Sequence, residues 1–203
     1  MIKVIIFDLA GVCFIDFGVG NKKNSEKYAK MLGISTENLH EIWHSPWQLL
    51  KKGKISESEF WKVFIEKSNS KITVEDLKRA VRNEMKPIQG IMNIINKLRK
   101  NYKLVMLTNN SKEWVNYIIE NFKIDQKFDV IINSADVNMA KPETSIYKFT
   151  LEKIKIPPQE CIFIDDTEKN LITARELGMK TILFKSVEQL KNDLTKLGVR
   201  CDG

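Results

Sequence analysis

Four short stretches carry side chains that could do chemistry together: Asp8, Thr108 with Asn109, Lys141, and Asp165 with Asp166. Asp8 and Asp165 each end a short apolar run, and Thr108 ends another. A single Asp behind a single strand reads as a loop or helix cap, so the repetition is what points to a site. Brought to one place, three carboxylates would repel, and burying them unpaired is costly, so the set calls for a compensating cation. Oxygen ligands of this kind suit Mg²⁺, which keeps several waters and binds through one or two carboxylates plus substrate phosphate. Thr108 and nearby backbone N–H groups are then donors to phosphate oxygens, and Lys141 supplies positive charge to a phosphoryl group or its aspartyl ester. One carboxylate is left free to attack, as in aspartyl-phosphate chemistry.

The elements that must position these residues follow from periodicity. Behind Lys3, residues 4–7 are apolar and mostly β-branched, too short a run to span a membrane, and read as a strand buried on both faces. Such strands belong to parallel sheets covered by helices on either side, whose ligands bind beyond the carboxyl ends of the strands. From Pro87 onward, helices (88–100, 113–121, 144–154, 168–177) alternate with strands (103–108, 130–132, 161–165, 180–184), and residues 187–197 form a last surface helix. This order predicts a doubly wound parallel α/β sheet. Residues 14–86 break the pattern with helical signals. Ser25 precedes a helix over 26–32 ended by Gly33, and Thr36 opens a second through Trp43. A short third over 47–50 is closed by Gly53. Ser56 with Glu59, and Thr73 with Asp76, are capping boxes for two more. The expected organisation is a core of residues 1–13 and 87–203 with a helical cap of residues 14–86, placed to act as a lid.

Composition narrows the class. The 203 residues suffice for one domain plus a modest insertion, and 43% hydrophobic with 29% charged residues is ordinary for a globular chain. Cys13, Cys161 and Cys201 are an odd number without metal-type spacing, which predicts reduced structural thiols and a cytoplasmic protein. No run approaches a membrane span, and no signal peptide is read at the start. The net charge of +7 is spread over many lysines without a nucleic-acid motif, so neither nucleic acid nor membrane is the expected partner. Oligomeric state is not legible.

The four stretches, in this order and spacing, resemble the motifs of the haloacid dehalogenase (HAD) superfamily: Phe7-Asp-Leu-Ala-Gly-Val12, Leu107-Thr-Asn-Asn-Ser111, Lys141-Pro142-Glu143 and Phe163-Ile-Asp-Asp-Thr167. The resemblance covers the whole chain. Residues 53–61 are similar to the cap of the subgroup holding bacterial sugar-phosphate phosphatases and the N-terminal phosphatase domain of soluble epoxide hydrolase. It implies a HAD-like Rossmannoid core and a hydrolase of small phosphorylated substrates using Mg²⁺. It implies Asp8 as nucleophile and metal ligand, the Ala10 carbonyl and Asp166 as further ligands, and Asp165 as one acting through water or from behind. Thr108 and Asn109 would bind phosphate, and Lys141 would hold Asp8 and the transferring group together. Asn170 would steady the acidic loop, or be a plain helix residue.

The departure is Ala10, where most phosphatases of the family place a second Asp that protonates the leaving group and later activates water. A backbone carbonyl survives the change, whereas a general acid worth about 10²–10⁴ in rate does not. An Ala-Gly pair here also resembles phosphonoacetaldehyde hydrolases, whose cap lysine forms a Schiff base; Lys22, Lys23, Lys51, Lys52 and Lys54 are the candidates. A residual, binding-only site is the remaining alternative. In the cap, Trp43, Trp47 and His44 are candidates to face substrate, with core packing as the other role of the tryptophans. His40 and His44 stand one helical turn apart but have no third ligand in view.

Overall fold

The computed structural model describes residues 1–19 and 21–200, so Cys201 lies outside the described residues. The chain begins with β1 (Val4–Phe7), whose every residue is buried. Ile5 and Phe7 enter one apolar cluster and Val4 and Ile6 another, as alternation across a strand covered on both faces requires. Four helices follow: α1 (Lys22–Leu32), α2 (Thr36–Leu50), α3 (Glu57–Ser68) and α4 (Val74–Glu84). Then come α5 (Ile91–Leu98), β2 (Lys103–Thr108), α6 (Lys112–Phe122), β3 (Val130–Asn133), the one-turn α7 (Ser134–Val137) and α8 (Thr144–Ile154). β4 (Cys161–Asp165), α9 (Glu168–Glu176), β5 (Lys180–Leu183) and α10 (Val187–Lys196) complete the order.

The five strands form one parallel sheet in the order β3-β2-β1-β4-β5, the doubly wound arrangement expected from the sequence. β1 is central, and the direction of winding reverses between it and β4, where such sheets open a crevice for ligands. Phe7 pairs with Ile164, and the Asp8 N–H donates to the Ile164 carbonyl at 2.9 Å, so Asp8 and Asp165 emerge side by side.

The helical insertion differs from expectation in two places. α1 starts earlier, because the Asn21 side chain accepts from Lys23 N and caps it; Ser25, expected at the cap, lies inside the helix and donates to the Val19 carbonyl at 2.6 Å. α2 is one helix where two were expected, capped by Ser35 and running through Pro46. An interior proline costs about 3 kcal/mol. Offsetting it, Leu39, Ile42, Pro46 and Leu50 form one buried stripe, and Trp43 stacks on Trp47 at 5.7 Å between ring centres. Both expected capping boxes form. α7, directly behind β3, was not anticipated at all.

The chain leaves and re-enters the sheet layer by two strands of backbone lying side by side. The Ile15 N–H donates to the Lys86 carbonyl at 2.9 Å and the Ile88 N–H to the Cys13 carbonyl at 3.0 Å. Beyond this neck the apolar cluster under the sheet continues through Phe14 and Phe17 to Tyr28, Trp61, Phe64 and Leu77 in the insertion. No described helix is long and apolar enough to cross a membrane.

Candidate active site

The Asp8 carboxylate sits at the end of β1, with Oδ1 accepting from the Leu9 N–H at 2.7 Å. Lys141 reaches it from the loop between α7 and α8, with Nζ 2.9 Å from Asp8 Oδ1 and 2.7 Å from Asp165 Oδ2. Asp165 is wholly buried and Lys141 is 2% exposed. The lysine's backbone is fixed by a reciprocal pair: Asn109 Nδ2 donates to the Lys141 carbonyl at 2.8 Å, and the Lys141 N–H donates to Asn109 Oδ1 at 2.9 Å. The Asn109 side chain is therefore engaged in bracing Lys141, which leaves its backbone N–H as the group it could offer a ligand.

Both oxygens of Asp165 are engaged. Oδ1 accepts from the Thr167 N–H at 2.8 Å, Asn170 Nδ2 lies 3.0 and 3.1 Å from the two oxygens, and Lys141 takes Oδ2. Asn170 is in turn held through its carbonyl by Tyr147 Oη at 2.8 Å. Asp166 faces outward and lies over the turn after β1. Gly11 there has φ +85°, and a Cβ on it would stand 2.2 Å from Asp166 Oδ2, so the glycine serves both the turn and the carboxylate's close approach. Oxygens of Asp8, Asp165 and Asp166 lie within 4.8 Å of one another, the one such group of metal-capable side chains among the described residues.

One ammonium faces three carboxylates, and the imbalance shows in their acidities. Burial pushes Asp8 up to about 7 against the pull of Lys141, with Asp165 adding to the rise. Burial and Asp165 likewise raise Asp166. Burial opposes the charge on Lys141, but Asp165 and Asp8 outweigh it and hold the ammonium above the usual lysine value. A donor set of hard oxygens short of positive charge fits a divalent cation of the Mg²⁺ type. Beside it, at the end of β2, Thr108 Oγ1 is buried with no partner among the described residues, a hydroxyl left for a ligand.

A cavity of about 250 Å³ opens from this edge toward the insertion. Ala10, Asn109 and Asn110 line it from the strand ends, and Asp16 to Val19 from the chain that leads into the insertion. Trp43, Trp47 and Trp114 form an aromatic wall, with Trp47 stacked on Trp114 at 6.0 Å and Phe17 packed edge-on against Trp114 at 5.7 Å. The structure thus gathers Asp8, Lys141, Asp165 and Asp166, and sets Ala10, Asn109 and Trp47 around one cavity. His44 is exposed and takes no part in that wall; His40 is exposed too, its Nε2 3.4 Å from Ser25 Oγ. None of Lys22, Lys23, Lys51, Lys52 and Lys54 lines the cavity, and Lys52 pairs with Glu143 at 2.5 Å. Cys13 and Cys161 are buried and unbridged, and burial lifts the Cys161 thiol to about 12. Asp16 and Trp114 were not anticipated. Asp16 falls in a stretch with no helical or strand period, and Trp114 reads in sequence as the apolar face of α6.

The model of the family described as haloacid dehalogenase-like hydrolase matches residues 3–184. A D-ribitol-5-phosphate phosphatase of Bacteroides thetaiotaomicron is 25% identical over 204 residues, covering 96% of this chain and 98% of that protein. The rat bifunctional epoxide hydrolase 2 is 43% identical over 75 residues, 37% of this chain and only 14% of the relative's length. Among solved structures, a HAD family enzyme of Bacteroides thetaiotaomicron in complex with magnesium is 26% identical, with a TM-score of 0.82 over 95% of this chain and 98% of that one.

Proposed function

The chain belongs to the haloacid dehalogenase-like hydrolases, and from that premise we propose that it is a Mg²⁺-dependent phosphatase of small phosphorylated molecules. The observation that carries this reading is Asp8, held by Lys141 beside Asp165 and Asp166 at the crevice of the sheet. The phosphatase relative and the magnesium complex of a structural neighbour support it. Residues 1–13 and 87–203 act as the core, and residues 14–86 as a cap that helps exclude water and selects the leaving group.

Asp8, Asp166 and the Ala10 carbonyl would hold the ion, with Asp165 behind them fixing Lys141. An Mg²⁺ ion held by these residues would supply the missing positive charge and polarise the phosphoryl oxygens. Asp8 Oδ1 is occupied by Lys141 and the Leu9 N–H, so Oδ2 is the oxygen free to act. Asp8 attacks phosphorus in line, a bond from its carboxylate to phosphorus forms, and the bond to the leaving oxygen breaks. Lys141 stays beside both the carboxylate and the transferring group, Thr108 Oγ1 and the Asn109 N–H donate to phosphate oxygens, and water then releases phosphate from Asp8.

Hydrolysis of p-nitrophenyl phosphate, whose leaving group departs without a proton, tests this. Turnover in Mg²⁺ is expected to vanish with EDTA and to fall at least about 10³-fold in Asp8→Asn, the scale of losing a nucleophile. Activity that survives both treatments refutes the reading.

A further inference from the structure

We propose that Asp16 is the proton donor to the leaving group, taking the role for which Ala10 has no side chain. This rests on the phosphatase reading above. Asp16 and Ala10 line the same cavity, which continues from the catalytic edge to the tryptophan wall where a leaving group would lie. Asp16 is not one of the three carboxylates grouped for a cation, though its charge helps raise the Asp166 pKa, and it has no ion-pair partner among the described residues. Its loop is tied down on α1: Asn24 Nδ2 donates to the Asp16 carbonyl at 2.7 Å, Tyr28 Oη to the Phe17 carbonyl at 3.1 Å and Ser25 Oγ to the Val19 carbonyl at 2.6 Å. Oδ1 accepts from the Gly18 N–H at 2.9 Å, which aims the group and leaves Oδ2 without a described partner.

The surroundings favour a carboxyl that holds its proton. Burial raises its pKa above the usual carboxylate value, with the Gly18 N–H pulling the other way. Trp43, Trp47 and Trp114 in the same lining offer apolar surface, and the Trp114 indole N–H is already donated to Glu57 at 2.6 Å. Asp16 is thus the acidic side chain of the cavity lining.

The chemistry balances with no added reagent. As the Asp8 carboxylate bonds to phosphorus, the P–O bond to the alcohol breaks, and the Asp16 proton passes to that oxygen, giving neutral alcohol, aspartyl phosphate and an Asp16 carboxylate. In the second half, Asp16 takes one proton from a water whose oxygen bonds to phosphorus. The bond from phosphorus to Asp8 breaks, phosphate departs with the other proton, and both aspartates return to their starting forms.

The test compares p-nitrophenyl phosphate with a primary alkyl phosphate such as glycerol 3-phosphate. Asp16→Asn keeps an acceptor for the Gly18 N–H, so the loop is retained. The variant is expected to lose about 10²–10⁴ in the single-turnover rate of alcohol release from the alkyl phosphate and far less in that of p-nitrophenol, the half-reaction that precedes attack by water and so isolates the proton donor. Calorimetric binding of inorganic phosphate with Mg²⁺ is expected to stay at the wild-type level, and Ala10→Asp placed on Asp16→Asn to restore alkyl phosphate turnover. Equal losses on both substrates, no loss on the alkyl phosphate, or a wild type that cleaves only p-nitrophenyl phosphate would each overturn the assignment while leaving the phosphatase reading intact. Wild-type turnover indifferent to EDTA and to Asp8→Asn removes that reading, and this assignment with it.

Discussion

Lys141 is the residue on which the site's charges meet. A buried ammonium is tolerated because two carboxylates grip it within 2.9 Å, and a third carboxylate, Asp166, is then left in excess. The consequence is a dependence of stability on pH that a metal should reverse. In the metal-free protein Asp8 has a folded pKa of about 7, well above the unfolded carboxylate value of about 4. The folded form then binds more protons than the unfolded form between these limits, so this group favours folding at acid pH and the advantage is lost as pH rises through 7. Mg²⁺ binds the deprotonated form. Thermal melting with and without Mg²⁺ should therefore show a larger rise in Tm at pH 8 than at pH 5. A rise of equal size at both would show that Asp8 does not titrate in step with the metal.

At the scale of elements, Glu57 does for α3, α4 and α6 what Lys141 does for the strand ends. It is 1% exposed, accepts from both Arg82 guanidinium nitrogens at 2.7 and 2.6 Å, and takes the indole N–H groups of Trp61 and Trp114. Glu113 in α6 accepts from the Glu57 N–H at 3.0 Å. Arg82 also lies over the Tyr117 ring at 5.4 Å. Replacing Glu57 with Ala leaves a guanidinium and two indoles without their acceptor. Arg82 keeps partial access to water, so the expected loss is about 2–3 kcal/mol rather than the full cost of breaking a buried pair. Urea unfolding would read it as a lower midpoint. A loss under about 0.5 kcal/mol, the level of an ordinary surface change, would contradict the role given to Glu57.

For the molecule as a whole, the insertion is seated on the sheet layer. One apolar cluster crosses the neck, Ser134 Oγ donates to the Lys51 carbonyl, and Lys52 pairs with Glu143 in the loop that carries Lys141. Gly53 lies so close to α7 that a Cβ would come 2.3 Å from the Ala135 carbonyl oxygen, whereas Gly33, also at positive φ, has nothing within 4 Å. The two glycines separate backbone strain from contact between the layers. Each Gly→Ala change carries the left-handed backbone cost of about 1–2 kcal/mol. Gly53→Ala must also move the insertion off α7, so it should destabilise more and raise KM, while Gly33→Ala should leave KM at the wild-type value. Matching KM values for the two variants would show that the seat against α7 has no bearing on substrate.

By itself the sequence determined the alternation of strands and helices, a parallel sheet covered on both faces and the identity of the side chains at the strand ends, while the central place of β1 came from the fold. Short β-branched runs and capping boxes act within a few residues and need no distant partner to be read. What it left open depends on contacts between segments far apart in the chain. The split expected in α2 failed because a buried stripe outweighed a local proline, and Ser25 lost its cap role to Asn21 because Val19 offered it a carbonyl. Asn109 was legible as a site residue, but its side chain proved to be committed to Lys141. His44 and Trp47 were both candidates to face substrate, and packing on the continuous α2 turned the indole to the cavity and left the imidazole exposed. Asp16 carries no periodic signal, and only the tertiary structure sets it in one cavity lining with Ala10, because proximity in a cavity is a property of the folded chain and not of spacing along it.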